Sequence, residues 1–150
     1  MPRVPLLFLL LGLALAPLAR AGELDLGHYQ AVEIPPVRTS IYIGRVTLTF
    51  AGLVRHHGTY TSEYSAKVFP YFFYNERGHL TITVTDEMLQ RLAKGETVQF
   101  QGHGLSSDGE ERHIEGKAMP VDALSGHIKV RVFVSKHIQL IFNTSYRFHP

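Results

Sequence analysis

A chain of 150 residues with 15 Lys and Arg, 13 Asp and Glu and 9 His carries a formal charge of +2. That length suits one domain around one core, and a charge balance this even offers no basic patch of the kind nucleic acid requires. The absence of cysteine excludes a disulfide framework, a thiolate metal site and a cysteine nucleophile.

The first residues, MPRVPLLFLLLGLALAPLARAGELD, read as a secretory signal peptide over 1–21. Arg3 is followed by an apolar run from Val4 to Leu18 and the small-x-small end Ala19-Arg20-Ala21. The run is shorter than the ~20 apolar residues of a membrane span. No cysteine follows to be lipidated. Cleavage would remove Arg3 and Arg20, leaving 13 cationic and 13 acidic side chains in a single domain over 22–150. The basic character of the chain therefore belongs largely to its leader.

From there, alternation dominates. Tyr42, Gly44, Val46, Leu48 and Phe50 alternate with Ile43, Arg45, Thr47 and Thr49. Tyr60, Tyr64, Ala66 and Val68 alternate with Thr59, Thr61, Glu63 and Lys67, and Leu80, Ile82 and Val84 with His79, Thr81 and Thr83. Period two with β-branched and aromatic residues predicts antiparallel strands with one dry and one wet face. Between them, TDEMLQRLAKG predicts the one helix, over 85–94. Thr85 is its cap, Met88, Leu89 and Leu92 form its apolar face, and Gly95 stops it.

The second half predicts two hairpins, with turn chemistry at Asp108-Gly109 and Ser125-Gly126. Matching dry faces across the first requires a three-residue loop, Ser107 to Gly109, with Gly109 left-handed. The same parity pairs Val132 with Leu140 and Val130 with Phe142 around a loop at 135–137. About eight strands are read, near 28–34, 41–50, 58–68, 79–84, 97–105, 111–119, 127–134 and 138–148, with a short aromatic segment at 71–75 that need not stand alone. The fold class is all-β, a small antiparallel barrel or β-sandwich with one short helix. Both architectures show the same alternation.

Phe69-Pro70-Tyr71-Phe72-Phe73-Tyr74 puts five rings into six positions. Parity continues the inward face of Tyr60, Tyr64 and Val68 through Phe72 and Tyr74 and turns Phe69, Tyr71 and Phe73 the other way. Pro70, which has no N–H to give, marks an edge or a bulge. The rings serve as a covered core strand, an apolar ligand platform or an edge for a partner. Candidate ligand-binding residues are Tyr60, Tyr64, Phe69, Tyr71, Phe72, Phe73 and Tyr74.

Elsewhere the chemistry is sparse. His103 and His113 fall opposite each other on the wet face, without a third and fourth metal ligand. Glu63 and Glu115 stand at polar mid-strand positions with nothing to bring them together. No serine sits in a GxSxG context. The ending of LIFNTSYRF, Tyr146-x-Phe148, resembles the closing strand of outer-membrane β-barrels, and a small barrel of that kind is one alternative; the helix at 85–94 fits it poorly.

The sequence thus predicts a periplasmic or secreted, non-enzymatic binding or interaction protein of the bacterial cell envelope, with no cofactor, no catalytic residue and no metal. Its expected partner is an apolar small molecule or another envelope protein, not nucleic acid, and membrane insertion is not expected. A subunit that self-associates through an edge strand is the other reading.

Overall fold

The computed structural model describes residues 25–150; the signal peptide expected over 1–21 lies outside them. Among the described residues, ten strands form one antiparallel sheet. They are Ala31–Glu33 (β1), Val37–Ile41 (β2), Gly44–Phe50 (β3), Leu53–His56 (β4), Thr59–Phe69 (β5), Glu76–Thr83 (β6), Val98–Ser106 (β7), Glu111–Pro120 (β8), Ser125–Phe133 (β9) and Gln139–His149 (β10). A helix, Asp86–Ala93 (α1), lies between β6 and β7.

The sheet closes on itself. β5 pairs with β6 along one edge and with β3 and then β4 along the other. β1 joins β4 to β10, with Val32 opposite both Leu53 and Phe148. Two pairs of short strands therefore act as single staves. β1 and β2 are separated at Pro35-Pro36, where the missing N–H groups interrupt a ladder. β3 and β4 are separated at Ala51-Gly52, where Gly52 takes φ +104°. The result is a closed, eight-stave barrel rather than a sandwich. Closure removes exposed sheet edges except along β2 and the part of β10 beside it. The least-paired seam between staves is the last: three residues of β1 pair with β10, and β2 continues beside β10 without a ladder of its own.

The alternation sets what faces inward. Tyr60, Tyr64, Leu80, Ile82, Ile114, Ala118, Ile128, Phe142, Tyr146 and Phe148 are all even-numbered and all buried. Both hairpin registers follow the parity argument: Phe100 pairs with Gly116 and Val98 with Ala118, and Val132 pairs with Leu140 and Val130 with Phe142. Gly109 has φ +86°, as the three-residue loop requires.

Three local readings are corrected. The 71–75 segment is a loop with a single 3-10 turn at Phe72–Tyr74, not a strand. Local bonds replace a ladder there: Tyr74 N–H donates to Tyr71 O (2.9 Å), Asn75 N–H to Phe72 O (3.1 Å), and Val68 N–H to Asn75 Oδ1 (2.8 Å). The turn before β9 is Val121–Leu124 rather than Ser125-Gly126, because Asp122 Oδ1 accepts the N–H groups of Leu124 (2.9 Å) and Ser125 (2.8 Å). The strand expected over 41–50 is the second arm of a β2–β3 hairpin turning at Tyr42-Ile43. Beyond it, the kink at Ala51-Gly52 shifts the inward parity to Leu53, which hides β4 from an alternation count.

The two ends of the barrel differ. At one, α1 packs across the opening. Thr85 Oγ1 accepts the N–H of Met88 (3.2 Å) and caps it, worth about 1 kcal/mol. Leu89 (0% exposed) and Leu92 point into the core. Arg55 ties it down from β4, donating to Val84 O (2.8 Å) and Asp86 Oδ1 (2.7 Å). At the other end, four connections at 42–43, 70–75, 107–110 and 134–138 surround an opening that no helix of the described residues crosses.

Candidate binding site at the open end of the barrel

The inward residues leave two neighbouring apolar spaces. The larger, about 110 Å³, lies toward the open end among Val37, Leu48, Ala66, Val132, Leu140 and Phe142. The smaller, about 60 Å³, lies against α1 among Leu53, Val84, Met88, Leu92 and Val98. Ile34, Ile82, Phe100 and Ile128 line both and form a waist between them. Gly116 makes the waist possible: a Cβ there would stand 2.2 Å from the Phe100 ring.

Size decides what this lumen can take. An apolar cavity of ~150 Å³ holds one benzene ring, and pockets for drug-sized ligands run to ~300–1,000 Å³. Each space is therefore smaller than a benzene-sized cavity as it stands, and anything larger could enter only by displacing side chains.

One polar cluster interrupts the apolar lining near the open end. Arg112 Nη2 donates to Glu76 Oε1 (2.8 Å) and Tyr64 Oη donates to Glu76 Oε2 (2.7 Å). A second guanidinium nitrogen, Nη1, donates to Val134 O (3.1 Å). Both charged side chains are largely covered, 19% and 18% exposed. The topology explains how they meet. Glu76 and Arg112 stand at inward positions at the open-end starts of β6 and β8, with β7 between them. Gly104 of β7 has no side chain to intervene; a Cβ there would lie 3.3 Å from the Tyr64 ring and 3.6 Å from Arg112 Cβ.

Electrostatics follow from this packing. Burial pushes the Tyr64 phenol well above its ordinary value, and its bond to Glu76 adds to the shift. The Glu76 bond also raises Arg112. Burial raises Tyr60 strongly and Tyr146 to about 12. A phenol whose folded pKa is raised gives stability that is complete below the unfolded value, about 10, and lost as pH rises toward the folded one. The fold should accordingly weaken above about pH 10. Absorbance at alkaline pH should show these three phenols ionising only together with loss of near-ultraviolet circular dichroism; ionisation in a still-folded protein would contradict their burial.

The seven aromatic candidates divide into two groups. Tyr60 and Tyr64 are inside. Tyr60 is structural, its hydroxyl donating to Tyr29 O (2.6 Å) near the closed end, whereas Tyr64 lines the larger space. Phe69 lies on the outer wall with the Arg45 guanidinium 5.1 Å from its ring centre. Tyr71 is half-buried, and Phe72, Phe73 and Tyr74 are exposed on the loop beside the opening. The inward facing expected of Phe72 and Tyr74 ends at Pro70, where the strand ends.

Other candidates are dispersed on the outer wall. His103 and His113 are paired across β7 and β8, but His113 contacts Glu115 (3.1 Å) and Phe133. Among the described residues no group of three His, Asp or Glu converges on a metal position. Glu63 lies opposite His79 and Glu115 opposite Arg131, three staves apart. Glu76 and Arg112 were missed, though a signal existed: each is a charged residue at the dry parity of an otherwise apolar strand face.

Set against protein-family models, curated proteins and solved structures, the chain matches none.

Proposed function

We propose that this is an exported, non-enzymatic binding protein of the bacterial cell envelope that holds one slender apolar chain in its barrel lumen. The observation that carries the reading is the lumen itself: two apolar spaces in line, closed by α1 at one end and reached at the other past Tyr64, Glu76 and Arg112. Barrels of eight strands have interiors just wide enough to be filled by side chains or to hold one small ligand. A chain threaded from the open end would displace side chains at the waist and leave its own end group beside the Arg112 guanidinium.

The polarity of the wall supports a barrel that works in water. Outward positions carry Thr61, Glu63, Lys67, Arg77, Gln101, Lys117, Lys129 and Arg131, and most apolar strand residues face in, with Val54, Phe69, Leu105 and Ile141 the larger exceptions. A membrane-spanning barrel has the opposite arrangement, an apolar band outside and polar residues within. The leader expected over 1–21 and the lack of cysteine support export.

The test is competition binding of a fluorescent long-chain fatty acid to delipidated protein, with Ala66→Phe as the variant. Ala66 lines the larger space, and a phenyl group there fills it. Uptake at about one chain per barrel, reduced at least roughly tenfold by Ala66→Phe, is expected, since the ring would occupy the volume that the chain needs. Equal binding by a variant that still folds would remove the lumen as the site.

A further inference from the structure

We propose that the aromatic side of the open rim docks onto an anionic lipid bilayer. The inference rests on the outer surface and does not depend on what the lumen holds.

Two neighbouring connections present apolar residues to solvent. Tyr42 is fully exposed at the β2–β3 turn, with Ile43 beside it; Phe72 (75%), Phe73 (69%), Tyr74 and Phe69 are exposed on the β5–β6 side. The two meet, since Arg45 pairs with Phe69 across β3 and β5. The rings are packed on one another rather than splayed: Phe73 has its centre 4.6 Å from Tyr74, 6.0 Å from Tyr71 and 6.2 Å from Phe72. A pre-ordered cluster of rings at the surface loses little entropy on burial, and Tyr and Phe are at home in the headgroup layer of a membrane.

Charge selects the partner. The chain has no Asp or Glu from residue 34 to residue 62, and only Glu76 from 64 to 85, which is turned inward onto Arg112. Cations surround the rings. Arg45 lies beside Phe69. One row below, Arg38, Thr47 and Lys67 stand in register across β2, β3 and β5. Arg77 follows on β6, opposite Ser65. With staves about 4.8 Å apart, these four cations form a band beneath the rings. Exposed rings above a cationic band match an anionic membrane surface, where apolar insertion and attraction to headgroups act together. The acids of this end, Asp108, Glu110 and Glu111, sit on the β7–β8 connection and at the start of β8, so the barrel approaches tilted, with its aromatic side down.

The absence of tryptophan provides the experiment. Phe73→Trp places a single reporter in the cluster, and Val121→Trp places one at the opposite end of the barrel, where Val121 is also exposed. Each variant is titrated with vesicles of equimolar phosphatidylglycerol and phosphatidylcholine, and with phosphatidylcholine alone. On the anionic vesicles the proposal expects a blue shift of the indole emission in the Phe73→Trp protein and none in the Val121→Trp protein. Binding should weaken severalfold at about 0.5 M salt, where screening is strong. It should fall at least roughly tenfold when Phe72→Ser and Tyr74→Ser remove two rings, and severalfold with Lys67→Gln and Arg77→Gln. No binding, equal shifts at both ends, or equal affinity for both vesicles would each overturn it. So would light scattering that shows a dimer dissolved by the ring substitutions, because the rim would then be an interface between two copies.

Discussion

Replacing Leu89 by alanine should destabilise the protein by about 2–5 kcal/mol. Leu89 is the most deeply buried residue of α1, with no exposed surface at all. With Leu92, its side chain is what the helix sends into the core at the closed end. The helix is only eight residues long, too short to hold itself together, so its packing against the barrel maintains it. Loss of the leucine leaves a hole beside the smaller lumenal space, into which the neighbouring strands can collapse only in part. Urea unfolding should show a lower midpoint with an unchanged slope, while Glu87→Ala on the exposed side of the same helix should change little. A cost below about 1 kcal/mol for Leu89→Ala would mean that α1 does not close the barrel.

Arg112→Met should be comparably damaging and for a different reason. The substitution leaves the Glu76 carboxylate covered and without its cation. Breaking a fully buried pair costs about 3–5 kcal/mol. Here both side chains keep about a fifth of their exposure, so roughly 2–4 kcal/mol is expected after allowing for solvent. Removing both charges tests the cause. The double variant Glu76→Leu, Arg112→Met replaces the pair with apolar side chains and should recover most of the loss. Recovery would show that the pair is not there for stability and would leave end-group recognition as its role. If the double variant is as unstable as Arg112→Met, the damage comes from lost packing and not from a stranded charge.

Much of the barrel was legible because its strands obey one parity. A residue's face follows from its number wherever the chain runs without interruption, which is why both hairpin registers of the second half follow from matching dry faces. Legibility failed where something other than alternation took over. At Ala51-Gly52 one kink moved the inward parity from Phe50 to Leu53. At Asp122 a side chain made the turn that glycine suggested four residues later. At Pro70 the loss of an N–H ended a strand that ring content favoured. Barrel closure was not legible, because it depends on Val32 meeting Phe148, residues from opposite ends of the sequence.

The candidate site divides along the same line. Ring density drew attention to Phe69–Tyr74, yet those rings lie outside and beside the opening, whereas the lumen is lined chiefly by aliphatic residues from every stave. Tyr64 is the only one of the seven aromatic candidates that faces the larger space. Glu76 and Arg112, the two charged residues of that space, stand 36 residues apart. Each breaks the apolar pattern of its own strand, but only the topology, with Gly104 between them, shows that they break it together.

The central claim is that the lumen holds a chain. Native mass spectrometry of the protein, purified from its own envelope fraction without detergent, tests it most directly. The account predicts a population carrying one added mass, that of a single-chain amphiphile, and the absence of that mass from Ala66→Phe. A bare monomer that stays bare after incubation with long-chain fatty acids, alcohols and isoprenoid chains would contradict it and leave the barrel interior as simply a core.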